Sequence, residues 1–304
     1  MDGHFERSRA IYEAMAQAVV LEPGWRVLDA GCGPGGFLPT LAALVGPEGA
    51  LTALDLDAEN LATAEGRVAA APLACPVAFR QGSVTALPFP DRRFDAVWCA
   101  NVSQYLTDDE FLAALAECRR VVRPGGLVAV KETDGVSGHY YPMDPAVGWR
   151  ALAAVLAAGQ VQARGIVRAA ELRRWLERAG LEEVRQRLFP EELWAPLPPA
   201  VREAEGTQLR FIALGTERAD LPESDRAFWR AQVDPDSPDA IVNHPDFVLS
   251  QRLRPGRRPR ARGGLSTHTD SRRPRPVTIA GASRRAGKEG AWFSAHARLN
   301  GALA

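Results

Sequence analysis

The sequence predicts an α/β fold in which a mostly parallel central sheet carries helices on both faces. Three observations lead there. Short apolar runs of strand length alternate with stretches of helical spacing from residue 8 to about residue 131. Glycine- and proline-bearing breaks such as "EPGW", "GPEG" and "RPGG" separate them. Strands alternating with helices of about 10–15 residues imply parallel strands joined by crossovers, covered on both sides.

In chain order, "SRAIYEAMAQAVV" at 8–20 places Ile11, Met15 and Val19 on one helical face. "RVLDAG" is the first strand. "FLPTLAALV" is a helix that tolerates Pro39 in its first turn, where no backbone donor is needed. "GALTALDLD" is the second strand and "AENLATAEGRVAAA" the second crossover helix. "VAFRQGSV" and "RFDAVWCANV" are the next strands, "DDEFLAALAECRRVV" an amphipathic helix, and "LVAVKE" a fifth strand after the "RPGG" turn. Beyond residue 140 the pattern changes. "PAVGWRALAAVLAAGQVQA" and "AAELRRWLERAG" read as helices, "LEEVRQRLF" as a strand, and "LWAPLPPA" as a proline-rich connection. Residues 201–214 fit helix or strand, with helix preferred. "DRAFWRAQV" is a short helix before a turn-rich segment.

The 304 residues include 46% hydrophobic and 24% charged, the balance of a soluble globular protein. No apolar run approaches the roughly 20 residues that span a bilayer, and the N-terminus lacks a signal-peptide core. A cytoplasmic location is the expectation. The four cysteines lack paired spacing, which argues against a zinc cluster or a disulfide framework and for small buried hydrophobes. No metal is expected. The zero net charge hides a split: from Arg252 onward there are 13 basic and 2 acidic residues, before it 24 and 35. The reading is one domain over 1–251, with a helical insertion at about 140–170, and a basic, low-complexity, disordered tail over 252–304.

Strand-to-helix turns at the C-terminal sheet edge are where such folds bind ligands. The first of these, "RVLDAGCGPGGF", holds Gly31, Gly33, Gly35 and Gly36 within six residues. A dinucleotide would seat its pyrophosphate here. Asp29, two residues before the first glycine, would repel it, so the guest should be phosphate-free and cationic near the glycines.

"VLDAGCGPGG" resembles the first motif of the class I S-adenosylmethionine-dependent methyltransferases. "LTALDLD", "GSVTALPFPDRRFDAVWCANVSQYL" and "RVVRPGGLVAV" follow in the family's order, and the resemblance covers about residues 10–190. It implies a three-layer, Rossmann-like class I methyltransferase fold and S-adenosyl-L-methionine as cofactor. Within it, Asp29 holds the methionine ammonium, while Gly31, Gly33 and Gly35 let the backbone approach the methionine moiety. Asp55 accepts the ribose hydroxyls and Leu56 covers the adenine. Ser83 and Val84 stand where many members carry an acidic residue and a small one for the adenine amino group. Asn101, Val102 and Gln104 line the methionine side and the methyl group, and Tyr12 forms a lid.

Glu132, Asp134 and His139, in "KETDGVSGHYYPMD" just after the fifth strand, are the catalytic candidates, and Tyr140 and Tyr141 wall the acceptor cavity. The sequence lacks the Asn/Asp-Pro-Pro-Tyr motif of nucleobase amino methylation and the Pro-Cys dipeptide of cytosine methylation. Its cysteines are not grouped as in arsenite methyltransferases. A small organic acceptor, like those of quinone and natural-product enzymes, is the expected partner. The rivals are an RNA methyltransferase or a non-catalytic S-adenosylmethionine-binding protein, either of which would use the basic tail for nucleic acid or another partner. A nicotinamide-dependent oxidoreductase is disfavoured by Asp29 and by the placing of Lys131 and Lys288. The acceptor atom and oligomeric state do not follow from the sequence.

Overall fold

The computed structural model describes Phe5, residues 7–217 and residues 219–257. Strands β1 (Arg26–Ala30), β2 (Ala50–Asp55), β3 (Val77–Gln81), β4 (Phe94–Ala100), β5 (Val122–Tyr141), β6 (Arg185–Gln186), β7 (Phe189–Trp194) and β8 (Val248–Arg257) form one sheet. Its order is β3-β2-β1-β4-β5-β8-β6, with β7 also paired to β8. The pairs from β3 to β5 are parallel, and β8 runs antiparallel to β5, β6 and β7. The fold is thus α/β with a mostly parallel sheet at its centre. Among the described residues, no helix is long and apolar enough to cross a membrane.

The helices are α1 (Arg9–Gln17), α2 (Leu38–Val45), α3 (Ala58–Ala70), α4 (Asp108–Val121), α5 (Pro145–Ala157), α6 (Val161–Arg168), α7 (Leu172–Arg178), α8 (Pro199–Thr216) and α9 (Glu223–Ala231). Side chains alternate across the strands, so the sheet builds two cores. Val27, Ala96, Trp98, Leu127 and Ala129 bury one face against α1, α2 and α3. Leu28, Val97, Val128 and Val130 bury the other against α4 and α7. Local signals agree with these helices. Thr107 and Glu110 form a reciprocal capping box at the start of α4, and Asp57 caps α3. All four cysteines are free and buried.

A third apolar cluster lies beyond the parallel sheet, where α5, α8 and α9 close over Phe247 and Leu249 of β8 and its approach. Here the structure departs from the sequence reading. The fifth strand does not end at Glu132 but continues to Tyr141, because β8 supplies hydrogen-bond partners along it. The "RPGG" turn becomes an irregularity inside this strand, between the Phe94↔Val122 and Ala96↔Leu127 pairs. Part of the proline-rich "LWAPLPPA" belongs to β7, whereas "LEEVRQRLF" contributes only the two residues of β6 and the first of β7. Strand β8 runs to Arg257, so the sheet reaches six residues past the expected tail boundary at 252. Residues 258–304, which carry most of the expected tail, lie outside the described residues.

Candidate cofactor site at the sheet edge

The glycine turn is built by backbone bonds across the first two strands. Gly31 and Cys32 donate to the Leu54 carbonyl at 2.7 and 2.9 Å, and Gly33 donates to Asp55 Oδ2 at 2.7 Å. Gly31 adopts φ +79°, and a Cβ there would sit 2.3 Å from a Val102 methyl. Glycine is therefore required twice over, by backbone conformation and by the close approach of the segment after β4. Gly33, by contrast, faces open space: a Cβ would meet nothing within 4 Å. Gly35 also has positive φ and turns the chain into α2.

Asp29 sits at the end of β1, 1% exposed, and its Oδ2 has no hydrogen-bond partner among the described residues. Burial, together with the nearby Asp55 carboxylate, pushes its carboxyl up to about 8 from the usual 3.8. Asp55 is half-buried at the end of β2. Besides Gly33, it accepts from Asp57 N at 3.0 Å and Asn60 Nδ2 at 3.3 Å. Leu56 beside it is 70% exposed, an apolar surface facing outward.

At the adenine landmark, the Ser83 hydroxyl is engaged in its own turn, 2.8 Å from Thr85 Oγ1 and accepting from Thr85 N at 3.2 Å. The Val84 side chain is buried in the core. Of that pair, the backbone of Val84 is the part not used for packing.

After β4, Asn101 has φ +59° and accepts at Oδ1 from the Lys131 ammonium at 2.5 Å. Gln104 Nε2 donates to the Asn101 carbonyl at 3.1 Å, and Gln104 Oε1 accepts from Gln162 of α6 at 3.3 Å. Helix α6 lies directly on this segment, since a Cβ on Gly165 would fall 2.3 Å from the Gln104 backbone. Tyr12 of α1 is fully buried, stacked on Phe37 at 5.4 Å between ring centres, with Lys131 Nζ 4.0 Å from its own. Phe5 closes the same corner against Phe37 and Gly36. Arg7, between them, forms an ion pair with the buried Glu205 of α8 and lies 3.9 Å from Glu191 of β7. The N-terminal segment is thereby tied to the accessory elements.

The catalytic candidates do not lie on a loop beyond the fifth strand. Glu132 is fully buried within β5 and accepts at Oε1 from Ser103 N at 2.7 Å. Burial raises its carboxyl pKa, opposed by Lys131. Asp134 is 1% exposed and accepts from Val136 N at 3.2 Å. His139 pairs opposite Ser250, whereas Lys131 pairs opposite Pro255. Five residues of β8 put these levels about 17 Å apart at ~3.4 Å per residue. His139 packs instead beside Tyr141 and Trp149. The strand's continuation carries it away from the sheet edge. Tyr140 is turned into the accessory cluster, with Phe247 as ring neighbour.

Two residues missed by sequence reasoning hold the site together. Arg168 of α6, 1% exposed, donates to the carbonyls of Ser103 and Leu106 at 2.5 and 2.8 Å and to Asp108 Oδ1 at 2.5 Å. It also lies over the rings of Phe111 and Trp175. With Glu132 it grips the Ser103 residue at its N–H and its carbonyl. No sequence signal marked Arg168. Lys131 was detectable as a charge interrupting an apolar strand.

A family profile described as "Methyltransferase domain" matches residues 27–126. Over 118 residues the chain is 39% identical to the ubiquinone/menaquinone biosynthesis C-methyltransferase UbiE of Cupriavidus taiwanensis, covering 39% of this chain and 46% of that one. Over 136 residues it is 35% identical to the malonyl-[acyl-carrier protein] O-methyltransferase of Erwinia billingiae, covering 45% and 50%. The chain thus spans about half the length of these curated relatives. A crystal structure of a putative methyltransferase from Bacillus halodurans superposes with a TM-score of 0.51 at 18% identity, covering 81% of this chain and 98% of that one, which shows a shared fold. With four motifs in family order, a matching methyltransferase-domain profile over residues 27–126 and the shared sheet, this part of the chain is similar to the class I S-adenosylmethionine-dependent methyltransferases.

Proposed function

We propose that this protein binds S-adenosylmethionine across the C-terminal ends of β1, β2 and β4 and transfers its methyl group to a small organic acceptor by in-line displacement. The observation that carries the reading is Asp29, a buried carboxyl group with an oxygen that has no partner among the described residues, beside a glycine turn that leaves open space at Gly33. A buried polar atom without a partner is costly. A cationic, phosphate-free guest supplies what Asp29 lacks, and a pyrophosphate would be repelled. The residues present therefore fit the family's cofactor.

When bound, the cofactor supplies an electrophilic methyl group on a sulfonium whose leaving group is a neutral thioether. In this reading Asp29 takes the guest's ammonium by a charge-assisted bond. Asp55, already fixed by Gly33 and Asp57, offers its remaining acceptor capacity to the ribose diol, and Leu56 covers the adenine. Ser83 contributes through its turn and Val84 through its backbone N–H. Asn101 and Gln104 border the methyl position, held by Glu132, Arg168 and α6. Tyr12 excludes water from above. Glu132 acts as a positioning residue, since its Oε1 is committed to Ser103.

The relatives named for O- and C-methylation match over less than half of this chain, and the methyltransferase-domain profile matches residues 27–126. We take the acceptor to be selected by elements beyond the matched part, and α6, whose Gly165 lies against the Gln104 backbone, is an element seated at the sheet edge.

Calorimetry with S-adenosylhomocysteine tests the reading. Asp55→Ala is expected to weaken binding by about 10–100-fold, the worth of charge-assisted bonds, with cooperative unfolding retained. An unchanged dissociation constant would count against the assignment. A screen of small-molecule extracts with isotopically labelled cofactor then identifies the acceptor.

A further inference from the structure

We infer that Lys131 is a carboxylate-recognition residue of the cofactor site. Its ammonium takes the α-carboxylate of the guest's amino-acid part, opposite the α-ammonium held by Asp29. The inference rests on the cofactor reading above and assigns a residue that the family's motifs do not mark.

The placement of Lys131 follows from strand alternation. In β5, Val128 and Val130 face the α4 side, while Leu127 and Ala129 face the α1 side. Lys131 has the parity of Leu127 and Ala129, and its ammonium indeed reaches the Tyr12 ring of α1. Asp29 belongs to the same face, because it pairs with Trp98, which pairs with Ala129. Lys131 is thus two strands across and one two-residue step further toward the sheet edge, about 12 Å between backbones at ~4.8 Å per strand and ~3.3 Å per residue.

The Lys131 Nζ reaches Asn101 Oδ1, just past the end of the neighbouring β4. Asn101 directly precedes Val102, whose methyl group occupies the space beside Gly31. A buried carboxyl group and a buried ammonium therefore lie on one face of the sheet beside one glycine turn.

Among the described residues, neither group has its full set of partners. Lys131 is fully buried, and among the described residues its contacts are a neutral amide oxygen and a ring face. An ammonium carries three donors, so these contacts leave it short of acceptors. Its sequence neighbour Glu132 points to the opposite face and is committed to Ser103 N. Asp29 keeps a partnerless Oδ2. Burying an ammonium short of acceptors, or a carboxyl oxygen without a partner, is costly. A zwitterionic α-amino acid group is the ligand chemistry that answers both at once.

The test is a binding cycle read by calorimetry. S-adenosylhomocysteine and its decarboxylated analogue, which keeps the ammonium, are titrated into the wild-type protein and into Lys131→Met. In the wild type, loss of the ligand carboxylate is expected to weaken binding roughly 10–100-fold. Lys131→Met should weaken S-adenosylhomocysteine by a similar factor and bind the analogue as the wild type does. Lys131→Arg should recover part of the preference for the carboxylate. Lys131→Gln keeps a donor for Asn101 without a charge, and gives the same readout should methionine destabilise the fold. A carboxylate preference that persists undiminished in the uncharged variants would overturn the inference. Wild-type protein that bound neither ligand would instead overturn the cofactor reading itself.

Discussion

With Asp29 in its proposed role, its raised pKa makes cofactor binding a proton-linked event. At about 8, the carboxyl is protonated in the ligand-free protein at neutral pH, and a guest that needs the carboxylate must first displace that proton. Each pH unit below 8 then costs about 1.4 kcal/mol, or tenfold in affinity. At pH 6 roughly 1% of the protein holds Asp29 ionised. The dissociation constant of S-adenosylhomocysteine is expected to fall about tenfold per unit from pH 6 toward 7.5 and to flatten near 8. At pH 7, binding should release close to one proton. Calorimetry in two buffers of different ionisation enthalpy measures that release directly. Asp29→Asn serves as control: it cannot ionise, so whatever pH dependence it retains belongs to the ligand.

The same shift acts on stability with a definite sign. Between pH 4 and 8 the unfolded chain has lost the Asp29 proton that the folded chain keeps, so stability of the ligand-free protein falls as pH rises through this window. Bound ligand should weaken that dependence. An affinity that stays constant between pH 6 and 8, with no buffer-dependent heat, would refute the reasoning.

Three further outcomes follow from the geometry. Gly31→Ala places a methyl group 2.3 Å from Val102 at φ +79°. It should destabilise by about 1–3 kcal/mol, with Val102→Ala recovering only the steric part, as thermal unfolding will show. Arg168→Met removes the grip on the carbonyls of Ser103 and Leu106 and leaves Asp108 without one of its two arginines. A loss of about 1–3 kcal/mol in denaturant unfolding is expected, the cost of leaving buried carbonyls without their donor. His139→Ala should leave affinity for S-adenosylhomocysteine, and labelled methyl transfer once an acceptor is known, within about twofold. Its ring lies beside Trp149, away from the sheet edge.

Much of the core was legible because its signals are local. The spacing of Ile11, Met15 and Val19, the apolar runs of β1, β2 and β4, and the capping pair Thr107 and Glu110 each reflect interactions over a few residues. Asp29 was legible for a different reason: a carboxylate beside a glycine turn restricts the charge of any guest before the fold is known. The extension of β5 was not legible. "KETDGVSGHYY" has no apolar alternation, and it becomes strand only because β8, more than a hundred residues later, pairs with it.

By itself, then, the sequence determined the α/β architecture, the glycine turn and the class of guest that Asp29 admits. Only the tertiary structure decided which charged residues share the face of Asp29 at the sheet edge. Glu132 and Lys131 are neighbours in the chain, yet strand alternation sends one to hold Ser103 and the other toward Tyr12 and Asn101. Arg168 reaches the same segment from a helix more than sixty residues away. Such assignments depend on parity within a strand and on pairing between distant segments, and the chain's order encodes neither where the strand ends nor what lies across from it.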